Sequence, residues 1–193
     1  SENIEEYVAI NPEQTKSLKR ISSLGKIENQ NLHGLKDIDL VIITNEELKA
    51  AAHELGEAHQ LYDGLTYAVV TEDQVFNEFS SGTPDASAYR WLMKMLWDRA
   101  KADSSLHHPS SLLLMGDGTF DNRKILNTSG ERTLLTYQTE NSTVGTSAFA
   151  IDDYFTFMDD GDGMVGTTFY DARATMDLGV GRLPVNTAEQ AHQ

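Results

Sequence analysis

The sequence predicts a three-layer α/β domain, a mainly parallel sheet with helices on both faces. Two observations carry this. Ile38–Ile43, Leu65–Val70 and Leu112–Met115 are short, nearly continuous apolar runs, the pattern of strands covered on both sides. Between them lie stretches of helical length with apolar residues at helical spacing, and such alternation builds parallel sheets.

Residues 1–36 are polar and weakly patterned, broken by Gly25 and the amide-rich Asn29-Gln30-Asn31. They read as an extended lead-in from a preceding region, with the α/β domain proper at 37–193. After the first strand, Thr44 and Glu47 have the spacing of a capping box, in which a hydroxyl and a carboxylate each take one orphan amide. The expected helix places Leu48, Ala52, Leu55, His59 and Tyr62 on one stripe and stops at Asp63-Gly64. Leu65–Val70 follows as a strand and 72–79 as a short helix. Thr83 and Pro84 suit the N-cap and first position of a longer helix, whose stripe is Ala88, Trp91, Leu92 and Met95. His107-His108-Pro109 breaks it, and Leu112–Met115 is the third strand. Some sixty residues rich in Asp, Gly, Ser and Thr come next, with Leu134–Tyr137 as a possible short strand. Asp177–Arg182 closes the pattern as a final strand before Pro184. The chain opens on Ser1 and reaches its end inside a helix start, Asn186-Thr187-Ala188-Glu189. It reads as a piece of something longer, with no signal peptide.

Composition excludes several function classes. Thirty acidic against 15 basic residues give a net charge of −15, a field that repels nucleic acid and anionic membrane surfaces. No apolar run approaches the roughly 20 residues that span a bilayer. The 193 residues include no cysteine, which removes disulfides, thiolate zinc sites and thiol nucleophiles together.

In parallel sheets, function gathers beyond the carboxyl ends of the strands. There the third strand runs into Gly116-Asp117-Gly118-Thr119-Phe120-Asp121. Asp117 suits a metal ligand, a phosphoacceptor or a turn residue satisfying backbone amides. A phosphoacceptor would need a lysine after the last strand, where Arg182-Leu183-Pro184 stands instead. The densest carboxylate stretch runs from Asp152-Asp153-Tyr154 to Asp159-Asp160-Gly161-Asp162-Gly163. Calcium takes six to eight oxygens on flexible loops, so Asp117, Asp121, Asp152 and Asp153 are the expected calcium ligands; an exposed acidic hairpin is the alternative. The spacing is not that of an EF-hand. His53-Glu54-Leu55-Gly56-Glu57 resembles a zincin helix but fails, because His59 is six places on rather than four. His59 is expected in the core and His53 in solvent. The chain has neither a Gly-x-Ser-x-Gly elbow nor a Gly-Lys-Ser/Thr phosphate loop.

Several segments in order carry a family resemblance. These are Ile38–Ile43, Asp63-Gly64-Leu65, Leu112-Leu113-Leu114-Met115-Gly116-Asp117-Gly118, Asp152-Asp153-Tyr154-Phe155, and Asp177-Leu178-Gly179-Val180-Gly181-Arg182-Leu183-Pro184. Together they resemble the amino-terminal half of the gingipain-type cysteine peptidase domain, over about residues 29 to 190. Asn31-Leu32-His33-Gly34-Leu35 and Phe79–Ala86 bring the likeness closest to the family's surface sortases. The resemblance implies a caspase-like architecture in two similar halves, with the catalytic histidine (in Gly-His-Gly) and cysteine in the second. Neither has a counterpart among the residues here, so no catalytic residue is assigned. It further implies a downstream catalytic half in the same polypeptide. The implied partner is secreted protein cargo of type IX secretion, whose sorting domains such relatives remove before attaching the cargo to surface lipopolysaccharide. The implied location is the cell surface of a Bacteroidetes-type bacterium. The chain is expected to fold alone, to lack peptidase activity, and to show any exposed apolar patch beside its final strand or after Pro184. A free-standing cation-binding or regulatory module using the acidic edge around Asp117 stays open as a second reading.

Overall fold

The computed structural model describes residues 25–26, 28–123, 125–126, 133–139, 144, 148–160, 162 and 175–192. Most of the lead-in and parts of the loops around 124–147 and 161–174 therefore lie outside the described residues. The elements are β1 (Leu40–Thr44), α1 (Lys49–Asp63), β2 (Tyr67–Thr71), α2 (Glu72–Phe79), α3 (Ser87–Ala102), β3 (Ser111–Met115), β4 (Tyr137–Gln138), β5 (Ala150–Ile151), β6 (Gly179–Leu183) and α4 (Ala188–Ala191). Four strands form a sheet in the order β2-β1-β3-β6, and all three pairings are parallel. β4 and β5 make a separate antiparallel pair.

Side chains of β1 alternate between two apolar layers. Val41 and Ile43, with Leu112 and Leu114 of β3, face a core built with Val75 and Phe76 of α2 and Ala88, Tyr89, Leu92, Met93 and Leu96 of α3. Leu40 and Ile42 face the opposite way, onto Ala51 and Ala52 of α1 and onto Met115. All five β1 residues are buried, so the expected three-layer α/β class is what the chain adopts. β6 departs from the expectation of strands covered on both sides: Gly179, Gly181 and Leu183 are exposed while Val180 and Arg182 are half-buried.

The helices begin and face differently from their sequence pattern. Thr44 is the last residue of β1, and its hydroxyl donates to Met115 O at 2.8 Å. Thr44 thus lies in the strand, five residues ahead of α1, and Asn45 Oδ1 accepts from Leu48 N instead. The capping box belongs to α2, where Thr71 and Gln74 exchange both bonds. α3 starts at Ser87, not beside Pro84, because Ser81 and Gly82 form a turn at positive φ and Asp85 Oδ1 takes Ser87 N. It ends at Ala102, ahead of His107.

Its buried face is centred on Tyr89, Leu92 and Met93, while Trp91 is 51% exposed. Tyr89 can occupy the centre because its hydroxyl donates to Glu72 Oε2 and accepts from Leu135 N; a buried hydroxyl without partners would be costly. α1 packs through Ala51, Ala52 and Gly56 rather than through a large-residue stripe. Leu61 and Tyr62 are consequently exposed. His59 is not a core residue; it pairs with Asp63 at the surface at 2.7 Å. Gly64 ends α1 in the left-handed region, φ 73°, as its sequence position suggests.

The end of the lead-in is part of the domain. Leu32 lies in the main core, inside a 3-10 turn at Leu32–Gly34. Glu78 of α2 fastens this segment by accepting from Gln30 Nε2, Leu32 N and His33 N and by pairing with the His33 ring at 2.6 Å. Burial alone would raise the Glu78 carboxyl, but the bonds from Leu32, His33 and Gln30 outweigh it and hold the group down to about 2 from 4.5. A depressed carboxyl contributes stability above its unfolded value and loses it as the pH falls through the folded one. Glu78→Ala is therefore expected to cost about 2 kcal/mol near neutral pH. The difference from the parent should shrink as the pH drops from 4.5 toward about 2, read by urea denaturation across that window.

Candidate functional site

The carboxyl end of the sheet is organised by Arg182, the one charged residue in β6. Its Nε and Nη2 donate to the two Asp152 oxygens, each at 2.8 Å, a bidentate pair. The remaining guanidinium hydrogens reach Leu135 O at 3.1 Å, Gly116 O at 3.2 Å and Asp117 O at 3.4 Å. One side chain thus joins the end of β3, the segment entering β4 and the 3-10 turn at Asp153–Thr156. Both partners are mostly buried, with 13% and 22% of their side chains exposed.

The turn after β3 is tight for a steric reason. A Cβ on Gly116 would lie 2.8 Å from Leu134 Cγ, and one on Gly118 would lie 2.9 Å from Thr136 Cγ2. The glycines let residues 134–136 lie against the strand end, where Gly118 bridges Leu134. Asp117 Oδ1 accepts from its neighbour Gly118 N, and Oδ2 lies 3.4 Å from Asn186 Nδ2. Asp121 is 8% exposed and gives both oxygens to the amides of Ile125 and Leu126. Asp152 is held by Arg182, and Asp153 opens the 3-10 turn.

The four expected calcium ligands thus serve turns and an ion pair, and they do not converge. Among the described residues the carboxylates that do converge are Asp159, Asp162 and Asp177, with one oxygen of each within 4.8 Å of the others. Asp162 Oδ2 is buried without a hydrogen-bond partner. The loop bearing Asp159 and Asp162 is seated on α3: Arg90 donates to Phe157 O and Asp162 O, and Lys94 to Met158 O. Asp177 Oδ2 fixes Met158 N. The acidic stretch read in the sequence supplies Asp159 and Asp162 of this cluster, and Asp177 comes from the following segment, beside the final strand.

Sequence reasoning also missed Arg182 as the hub; the available signal was a lone cation inside a strand of Gly, Val and Leu. Among the described residues no nucleophile–base pair is assembled. Four histidines pair with carboxylates: His33 with Glu78, His59 with Asp63, His107 with Asp37 and Asp39, and His192 with Glu54. None of these pairs includes a hydroxyl, and there is no thiol. No helix among the described residues is long and apolar enough to cross a membrane.

A four-stranded parallel sheet sandwiched by helices, with its loops gathered at the carboxyl end, is the architecture of an α/β peptidase domain, and the chain belongs to peptidase family C25, the gingipain family, whose model matches residues 33–193. Among solved structures it is similar to dimeric latent PorU from Porphyromonas gingivalis, at 39% sequence identity and a TM-score of 0.74. The likeness covers 87% of this chain and 16% of the PorU chain. No curated protein matches.

Breaking a largely buried ion pair from one side strands the other charge. Arg182→Ala is expected to cost about 3 kcal/mol in chemical denaturation, and Asp152→Asn less, since an amide still accepts one guanidinium bond. The double variant Arg182→Ala/Asp152→Asn should cost less than the sum of the singles.

Proposed function

We propose that this domain is the non-catalytic, amino-terminal half of a gingipain-like cysteine endopeptidase or sortase that processes secreted cargo in type IX secretion at the bacterial surface. The likeness to PorU carries the reading: 39% identity over 87% of this chain, falling on 16% of a much longer one. The chemistry agrees with it. Covalent proteolysis needs an activated nucleophile beside a base, and this chain supplies no thiol. Its role is then architectural, presenting the carboxyl end of its sheet and its β6 side to a downstream half that brings the cysteine and histidine, with cargo engaged by the assembled pair.

The purified 193-residue chain is expected to give no turnover on a broad fluorogenic peptide library with calcium and reductant present. A chain extended through the downstream half should give thiol-dependent cleavage. Turnover by the short chain that survives thiol alkylation would overturn the reading.

A cation role accompanies it. Asp159, Asp162 and Asp177 offer oxygen ligands only, the donor chemistry that calcium selects. The buried, unpartnered Asp162 Oδ2 is the observation that favours an ion there. A dication would relieve the mutual repulsion of the three carboxylates and tie the acidic loop to the segment entering β6. Calorimetric titration with calcium is expected to release or absorb heat, with a higher Tm in calcium than in chelator. Asp162→Asn should abolish both effects. Asp121→Asn should leave calcium binding intact and lower stability, since its amide keeps one of the two bonds from Ile125 N and Leu126 N and loses the other. Absence of heat with the parent chain would retire the cation role.

A further inference from the structure

A parallel sheet opens a crevice where its connections change face, because the loops leaving two neighbouring strands then turn away from each other. Here that point lies between β1 and β3. The connection from β1 to β2 runs through α1 on one face, and that from β2 to β3 runs through α2 and α3 on the other. Asn45 follows directly on β1, and Gly116 and Asp117 follow on β3. Thr44 pairs with Met115, and Met115 with Leu183. These residues and Asn186, just beyond β6, therefore share one rim, on strands about 4.8 Å apart.

Two buried amides on this rim are incompletely satisfied. Asn45 is 7% exposed, and its Oδ1 accepts from Leu48 N. Among the described residues its Nδ2, which is buried, has no hydrogen-bond partner. Asn186 Nδ2 donates to Asp117 Oδ2 over a long 3.4 Å, and the buried Asn186 Oδ1 likewise has no partner there. The bond made by the other atom of each amide fixes which end is which, so Asn45 presents a donor and Asn186 an acceptor. Both belong to the α1 side of the sheet. The Asn45 side chain turns to the start of α1, and Asn186 N donates to Gln190 of α4, whose Ala191 packs with Ala51 and Ala52 of α1. Leaving such groups bare costs more than an ordinary hydrogen bond returns.

We infer that one internal water binds in the crevice between the carboxyl ends of β1 and β3, accepting from Asn45 Nδ2 and donating to Asn186 Oδ1 and Asp117 Oδ2. Buried waters make about three hydrogen bonds to polar groups that otherwise go without. A molecule with two protons and free lone pairs matches this set of one donor and two acceptors. A cation does not match it, because the Asn45 amide protons point positive charge into the site. An anion would face the Asp117 carboxylate and the Asn186 oxygen. The water links β1 to the segment after β6, which β3 separates in the sheet. Asp117 then serves as a water ligand, a task apart from holding a metal or accepting phosphate.

The test uses the 193-residue chain, labelled for nuclear magnetic resonance. The Asn45 Nδ2 protons should show a through-space contact to water with the sign of a molecule bound for longer than the protein's tumbling time. A high-resolution crystal structure should place one water oxygen within hydrogen-bond reach of Asn45 Nδ2, Asn186 Oδ1 and Asp117 Oδ2. Asn186→Leu keeps the backbone bond to Gln190 but removes the acceptor and fills its space, so the Asn45 contact to water should be lost. Asp117→Asn keeps an oxygen for Gly118 N and should shorten the residence of the water about tenfold, the effect of one charge-assisted bond.

Absence of a long-lived water contact at Asn45 in the parent chain would overturn the assignment. So would a contact that neither variant changes, or a crystal structure with a protein acceptor or a cation on Asn45 Nδ2. Should Asn186→Leu fail to fold, the residence time in Asp117→Asn decides. Neither peptidase activity nor calcium binding enters these readouts.

Discussion

The carboxyl end of this sheet depends on a single guanidinium. Arg182 reaches a carboxylate on one loop and backbone carbonyls on two other segments. Those carbonyls sit beyond the ends of the regular strands, where backbone polar groups still need donors; Asp117 O also accepts from Leu134 N. Arginine suits the task because its planar fork offers several donors in fixed directions and keeps its charge when desolvated. Asp152 makes the burial of that charge tolerable. The loops then need little structure of their own; β4 and β5 are two residues each.

A second set of cations on α3 does comparable work for the acidic loop. Arg90 lies over the Tyr154 ring and donates to Phe157 O and Asp162 O. Lys94 reaches Met158 O and, at 2.9 and 3.0 Å, the carboxylates of Asp98 and Asp160. In a chain of net charge −15, Arg90, Lys94 and Arg182 are placed where backbone carbonyls and carboxylates crowd together. Stacking of Tyr137 on Tyr154, with centroids 4.0 Å apart, fastens β4 to the same region. A surface that resembles excess acidity in composition is thus an organised set of loops in three dimensions, held against the helix that also forms the main core.

Much of this was legible in the sequence. The four sheet strands fall on or beside the apolar runs, 72–79 is helical as expected, and Gly64 stops α1. The less legible features share one cause. Thr44 has a capping residue's chemistry and Trp91 a core residue's, yet each had a competing option that only a neighbour distant in sequence could offer. Pairing with β2 and β3 kept Thr44 in the strand, and Glu72 with Leu135 made Tyr89 the better residue to bury. Likewise Asp121 and Asp152 have a ligand's chemistry, and the fold gives their oxygens to Ile125, Leu126 and Arg182, partners no local spacing names.

Local pattern by itself determined the class of fold and the order of its elements, because strand and helix periods are properties of consecutive residues. The missing cysteine likewise determined, from composition alone, that no thiol chemistry resides in this chain. Only the tertiary structure decided which carboxylates meet, that Arg182 rather than an acidic residue governs the sheet end, and that Gly179 and Gly181 of β6 are exposed. Those outcomes depend on contacts between residues far apart in the chain. No spacing rule encodes which of several chemically suitable groups will find its partner already taken.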